Sequence, residues 1–316
     1  MSSASDLHVV LGASGGIGAA VVRELAARGH QLRAVTRGGD GDLPAGVEPH
    51  QADLTDPASV ERAAAGAAVV YHCAQPPYGR WPGLFPPLTR AVLDGTAAAG
   101  AKLAFADNLY AYGPVDRPMT EDLPYAATNP KGRTRAEMAR MLLDAHAAGR
   151  LRVTMSRASD YYGPGGVTST AGATVFANAV KGSTARWLGR LDVPHTLSYL
   201  PDIARGLAVL GERDEADGQA WHLPAAEALT IRQFLELVFE VLGRPPKFAA
   251  VGPGMQRLLG LVNPAVRELR ETAYQRERPF VVDASRFQEA FGPLPATPHR
   301  QAVAETLDWF RRQAAG

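Results

Sequence analysis

Apolar positions come in short blocks separated by glycine, proline and polar turns, and the spacing within the blocks alternates between two kinds. Leu7–Leu11 is a short apolar run ending in glycines, which predicts a buried strand. Ile17–Arg28 then carries apolar residues at helical spacing and stops at Gly29, a helix-ending glycine. Gln31–Val35 predicts a second strand and Val47–His50 a third. Asp56-Pro57 has the cap-then-proline signature of a helix start and opens a short Ala-rich helix. Ala68–His72 is a predicted strand, Leu84–Ala99 a helix and Lys102–Ala106 a strand. Asn129-Pro130 repeats the cap signature and starts a helix to about Ala148, followed by a strand at Leu151–Ser156. Strands alternating with helices predict an α/β fold, a doubly wound parallel sheet of the Rossmann kind. After Gly163 the pattern loosens, with Pro194, Pro201, Pro224, Pro245-Pro246, Pro264 and Pro279 punctuating shorter elements. The expected organisation is a dinucleotide-binding domain over 1–163 and a smaller substrate-binding region over 164–194 and 224–316. Sheet elements are expected to return between 195 and 223, near Leu197–Leu210 and Ala220–Leu223.

The 316 residues are 46% hydrophobic, enough for a large core. Thirty-three basic against 32 acidic side chains give a net charge of +1, which argues against a nucleic-acid partner. No run of about 18 apolar residues is present to span a membrane, and Met1–Asp6 lacks the basic and apolar regions of a signal peptide. The expected location is the cytoplasm. A single cysteine, Cys73, excludes an intramolecular disulfide framework, and the eight histidines show no metal-ligand spacing, so no metal is expected.

Gly12, Gly15 and Gly18 lie between the first strand and the first helix. The turn requires positive φ, a phosphate requires close approach of the backbone, and the helix must pack tightly on the strand. With Ser14, Gly16 and Ile17, this loop presents free N–H groups at a helix start, a binding surface for a dinucleotide pyrophosphate.

The same residues, with others in order along nearly the whole chain, resemble the extended short-chain dehydrogenase/reductase family of epimerases and dehydratases. Asp53-Leu54 is similar to the pair whose Asp holds the adenine amine. Tyr71-His72-Cys73-Ala74 is similar to the stretch beside the nicotinamide ribose. Tyr112-Gly113, Arg157 to Gly163-Pro164, and Ser198-Tyr199-Leu200-Pro201-Asp202-Ile203-Ala204 match further family segments. The resemblance implies a nicotinamide cofactor. Arg37, at the end of the second strand where a carboxylate would take the ribose hydroxyl of NAD, favours NADP. The alternative is NAD, with Asp40 or Asp42 on the ribose.

The resemblance also implies a catalytic Ser or Thr and a Tyr with a Lys four residues later. Here these positions fall on Asn108, Lys131 and Arg135, so all three family side chains are replaced. Lys131 and Arg135 share a helix face. Mutual repulsion is expected to lower the Lys131 pKa toward neutrality and make it a proton-transfer group. Asn108 is expected to donate its amide to a substrate oxygen, Arg135 to hold the ribose, and Tyr162 to offer a second proton-transfer route. Gln75, Tyr78, Trp81, Tyr110, Tyr161 and Tyr199 are the expected substrate contacts. Arg267, Arg270 and Tyr274 are further candidates, His195 is expected on a surface loop, and His72 and His222 to pack at strand ends.

The resulting expectation is an NAD(P)-dependent oxidoreductase or epimerase-like enzyme for a small-molecule carbonyl or alcohol. The alternatives are a non-redox isomerase, cyclase or lyase, and a non-catalytic NADP-sensing or partner-binding protein. Family resemblance further implies a homodimer through the helices Leu84–Ala99 and Ala136–Ala148.

Overall fold

The computed structural model describes residues 6–39, 43–262 and 264–315. The apolar blocks become strands β1 (Leu7–Leu11), β2 (Gln31–Thr36), β3 (Glu48–Gln51), β4 (Val69–His72), β5 (Lys102–Asn108) and β6 (Val153–Ala158). With the strand Gln219–His222 they form a seven-stranded parallel sheet in the order Gln219–His222, β6, β5, β4, β1, β2, β3. The strand order reverses between β1 and β4, which is where a doubly wound sheet opens a ligand crevice.

Side chains alternate across the sheet. Val9 and Leu11 enter one core with residues of α2 (Pro57–Ala64), α3 (Trp81–Ala98) and α4 (Pro130–Ala147). Val10 enters the other, with α1 (Gly16–Ala27), the helix Leu200–Glu212 and Phe287. The period of two along β1 thus serves both faces of a covered sheet. Both predicted caps form: Asp56 accepts from Ala58 and Ser59 N–H at 3.1 and 3.2 Å, and Asn129 from Gly132 N–H at 2.7 Å.

The expectation of sheet between Leu197 and Leu210 is corrected. Only Ser198–Tyr199 is extended, pairing with Tyr161–Tyr162 outside the main sheet, and Leu200–Glu212 is a helix. Leu200, Ile203, Ala204, Leu207, Ala208 and Leu210 are buried at helical spacing, with Pro201 in the first turn. A separate core joins Tyr162, Phe176, Trp187, Phe234, Val238, Leu307 and Phe310. It forms a lobe beyond the carboxyl ends of the strands, and a smaller cluster of Leu109, Tyr112, Met119, Leu123 and Phe280 lies beside it. At the opposite end of the sheet His30 bridges Asp6 (2.8 Å) and Glu212 (3.0 Å), tying β2 to the helix Leu200–Glu212.

Candidate active site

At the strand-order reversal a groove of about 1170 Å³ runs along the carboxyl ends of the strands. Gly12, Ser14, Gly15, Gly16 and Ile17 line its middle. Arg37, Asp53 and Leu54 line one end, and Cys73, Ala74, Gln75, Asn108, Arg135, Ser159 and Tyr161 the other. Gly12 has φ +80°, and a Cβ there would stand 2.6 Å from the Ala74 Cα, so only glycine fits. Gly18 does not line the groove; a side chain there would overlap the Gly12 carbonyl, and its role is the close seating of α1 on β1. α1 begins at Gly15 without a side-chain cap, so its first N–H groups are open to the groove. An uncapped helix start on a backbone without side chains fits a diphosphate. The groove runs from Asp53 at one end to Asn108 and Ser159 at the other, and its volume has room for a dinucleotide.

Asp53 accepts from Thr55 through its N–H and hydroxyl at 2.9 and 2.7 Å, which holds the carboxylate and lowers its pKa. Asp40 and Asp42 lie outside the described residues. The Cys73 thiol is pushed up to about 12 by burial and is no nucleophile. Asn108 Oδ1 accepts from Tyr110 N–H at 3.0 Å, which leaves its amide NH₂ as the group free to donate. Beside it, the buried Ser159 hydroxyl has no hydrogen-bond partner among the described residues.

Asp107, next to Asn108 at the end of β5, binds two buried guanidinium groups. Arg135 Nη1 reaches one oxygen at 3.2 Å and Arg157 Nε the other at 3.1 Å. Arg135 is further sandwiched between Trp81 and Phe85, its guanidinium carbon 4.4 Å from each ring. Its expected place on the ribose is therefore corrected in part: it lines the groove, but its charge is committed to Asp107. Arg157 also donates to the Tyr112 and Tyr125 hydroxyls, each at 2.6 Å, and Tyr112 pairs with His222 Nε2 at 2.8 Å. The Tyr112 and Arg157 motifs thus lock the ends of β5 and β6 together.

Lys131 is buried on the first turn of α4 and does not line the groove. Its ammonium lies 4.6 Å from the Tyr78 ring centroid, 2.6 Å from Glu268 Oε2 and 3.2 Å from Glu271 Oε1. Burial works against its charge, but the two carboxylates outweigh burial and raise the pKa. The expected lowering by Arg135 is overturned, because Arg135 is neutralised by Asp107 while Lys131 has two acidic partners of its own. Glu268 and Glu271 escaped the sequence reading altogether.

Other expected contacts divide. Gln75 and Tyr161 line the groove. Tyr78 stands behind it, its hydroxyl 3.3 Å from Thr272 Oγ1. Trp81, its N–H donating to the Pro76 carbonyl at 3.1 Å, and Tyr110, 5.9 Å from the Trp81 ring, also form a second layer rather than the wall. The catalytic expectation for Tyr162 fails: its ring packs between Phe176, Tyr199 and Phe234 in the lobe core, and burial raises its pKa. Tyr199 is held in the same core with its hydroxyl donating to Glu305. His195, expected on a surface loop, is buried, with Nε2 3.2 Å from Asp160 Oδ2. Tyr274 is packed behind the groove with its hydroxyl buried, and burial raises its pKa to about 12.

With this geometry in view, residues 8–223 match the model of the NAD dependent epimerase/dehydratase family, and the chain belongs to that family. Solved structures share the fold. One is MoeE5 in complex with UDP-glucose and NAD, at TM-score 0.78 and 21% identity, covering 97% of this chain and 99% of that one. A second is DesIV, the dTDP-glucose 4,6-dehydratase from Streptomyces venezuelae with NAD bound, at 0.79 and 19%, covering 98% of each chain. A nucleoside-diphosphate-sugar epimerase from Pseudomonas aeruginosa is similar at 0.76 and 20%, covering 97% and 98%. No curated protein matches in sequence.

Proposed function

We propose that this chain is an NADP(H)-dependent oxidoreductase or epimerase-like enzyme acting on a small-molecule carbonyl or alcohol. The observation that carries the reading is the open helix start over a glycine backbone, in a groove that ends at Asn108 and Ser159. When bound, a nicotinamide coenzyme supplies the hydride donor or acceptor. Arg37 in the groove wall, on the adenosine side, supports NADP over NAD. Asn108 and Ser159 offer donors for a substrate oxygen. The Lys131 ammonium, kept charged by Glu268 and Glu271, serves as the proton reservoir. A raised pKa keeps it protonated at neutral pH, the form that can give a proton to a developing alkoxide.

Calorimetric titration tests the first half: NADPH binds more tightly than NADH, and Arg37→Ala removes roughly a tenfold preference. The second half is tested once a carbonyl screen yields turnover. Lys131→Ala should then slow it by on the order of 10²–10⁴, and unchanged turnover would remove Lys131 from the mechanism. A non-redox isomerisation, cyclisation or elimination is the second reading, favoured by the position of Lys131 outside the groove wall. Deuterium from labelled coenzyme appearing in product decides against it.

A further inference from the structure

At the end of the sheet away from the groove, Asp6, His8 and His30 each bring one metal-donor atom within 4.8 Å of the other two. The strand register produces this. Leu7 pairs with Gln31 and His8 with Leu32, so Asp6 stands across from His30. Asp6 and His8 are two apart along extended chain and share a face. No spacing along the sequence links His8 to His30, and only the pairing of β1 with β2 makes them neighbours. The cluster is reachable from solvent, with the Asp6 side chain 56% exposed and the His30 ring 20%.

Each imidazole also has a second polar partner. His30 lies 2.8 Å from Asp6 Oδ1 through Nδ1 and 3.0 Å from Glu212 Oε1 through Nε2. His8 Nδ1 lies 3.0 Å from the Tyr71 hydroxyl, and the two imidazoles stack at 4.1 Å. A ring that gives one N–H to a carboxylate or hydroxyl keeps a lone pair on its other nitrogen, which is how outer partners orient metal-binding histidines. Glu212 does this for His30 and Tyr71 for His8. A tetrahedral ion with bonds of about 2.0–2.2 Å holds its donors about 3.4 Å apart. Asp6 and His30 have to part slightly and His8 to approach, and a rotamer change of the exposed Asp6 side chain supplies the first of these shifts. The charge is suited as well. Asp6, Glu24 and Glu212 stand against the one guanidinium of Arg28, which pairs with both glutamates at 2.8 Å, so three negative charges and one positive leave −2. Two imidazoles with a carboxylate select a divalent transition ion over Mg²⁺ or Ca²⁺, which take oxygen ligands.

We infer that Asp6, His8 and His30 bind one divalent transition-metal ion of the zinc type, with Glu212 and Tyr71 orienting the two rings. The site is structural and remote from the groove: it ties the start of β1 to β2 and to the helix Leu200–Glu212. The test is calorimetry on the full, untagged chain after EDTA treatment and dialysis, titrated with ZnCl₂ or MgCl₂, with thermal melting alongside. One Zn²⁺ should bind per chain and raise the melting temperature, as any ligand of the folded state does, while Mg²⁺ does neither. Glu212→Gln should weaken Zn²⁺ binding roughly tenfold. Asp6→Asn and His30→Gln, which remove ligands, should weaken it more, and His50→Gln, outside the cluster, should leave it unchanged. Asp6→Asn alters an exposed side chain and carries the comparison if His30→Gln fails to fold. Absence of Zn²⁺ binding, equal binding of Mg²⁺, or Zn²⁺ binding indifferent to Asp6→Asn and His30→Gln, which would mark an adventitious ion only, overturns the inference.

Discussion

Asp107 is the residue on which the site's rigidity turns. It lies at the end of β5 with its carboxylate divided between the Arg135 and Arg157 guanidinium groups, all three buried. Replacing it with Asn keeps the shape and removes the charge that two cations depend on, so Asp107→Asn should lose about 3–5 kcal/mol in urea denaturation. A loss under about 1 kcal/mol would mean that the aromatic faces of Trp81, Phe85 and Tyr112 suffice to hold those cations. His72, at the end of neighbouring β4, makes an opposite case. Its two ring nitrogens are fully buried with no hydrogen-bond partner among the described residues, and burial lowers its pKa to about 3. A depressed folded pKa leaves stability intact above the ordinary value of 6.5. That stability is lost as pH falls from there toward 3, because the unfolded chain takes up the proton first. The ring sits among Phe85 and Phe105, so His72→Phe should gain about 2 kcal/mol over the parent on going from pH 8 to pH 5. Parallel stability profiles for the two proteins would refute this.

At the scale of elements, α4 shows what a cap does for a site. Asn129 closes the first turn through Gly132 N–H, and Lys131 stands on that turn. Asn129→Ala should cost about 1 kcal/mol in thermal or urea unfolding, and Asn129→Asp should restore most of it. An alanine variant as stable as the parent would show that packing alone starts the helix. This cap and the one at Asp56 were legible from sequence because the signal is local, an acceptor side chain followed by proline. The strands were legible for the same reason: β1, β4 and β5 each carry a short, largely apolar and buried run in a sheet covered on both faces. Leu200–Glu212 was misread because the extended Ser198–Tyr199 runs straight into it, so the apolar Leu197–Leu200 reads as a strand although Leu200 already opens the helical spacing with Ile203, Ala204 and Leu207. Tyr162 was misplaced although its neighbour Tyr161 was not, since adjacent residues of an extended segment face opposite ways.

Across the whole molecule, legibility follows separation along the chain. The coenzyme groove is assembled from strand ends and the turns after them, each with its own local signature. The acidic partners of Lys131 come from positions 137 and 140 residues further on, and no periodicity marks a residue that will meet another through the fold. The same distance rule applies to the surface that would join two copies. We propose a homodimer through the outer faces of α3 and α4. Arg90, Glu137, Arg140 and Asp144 stand exposed there around half-buried Met141. A two-fold interface sets this patch against itself, so its basic and acidic members must pair across the axis around a small apolar centre. Such a dimer is held largely by solvent-exposed charges and weakens with salt. Light scattering should therefore find a dimer at low ionic strength that dissociates toward 1 M salt, and Asp144→Arg should give a monomer throughout. Met255, Leu258 and Leu261, exposed on the helix Pro253–Val262, form the competing apolar surface. A dimer indifferent to salt and to Asp144→Arg but abolished by Leu261→Glu would move the interface to that helix, beside the acidic segment that holds Lys131.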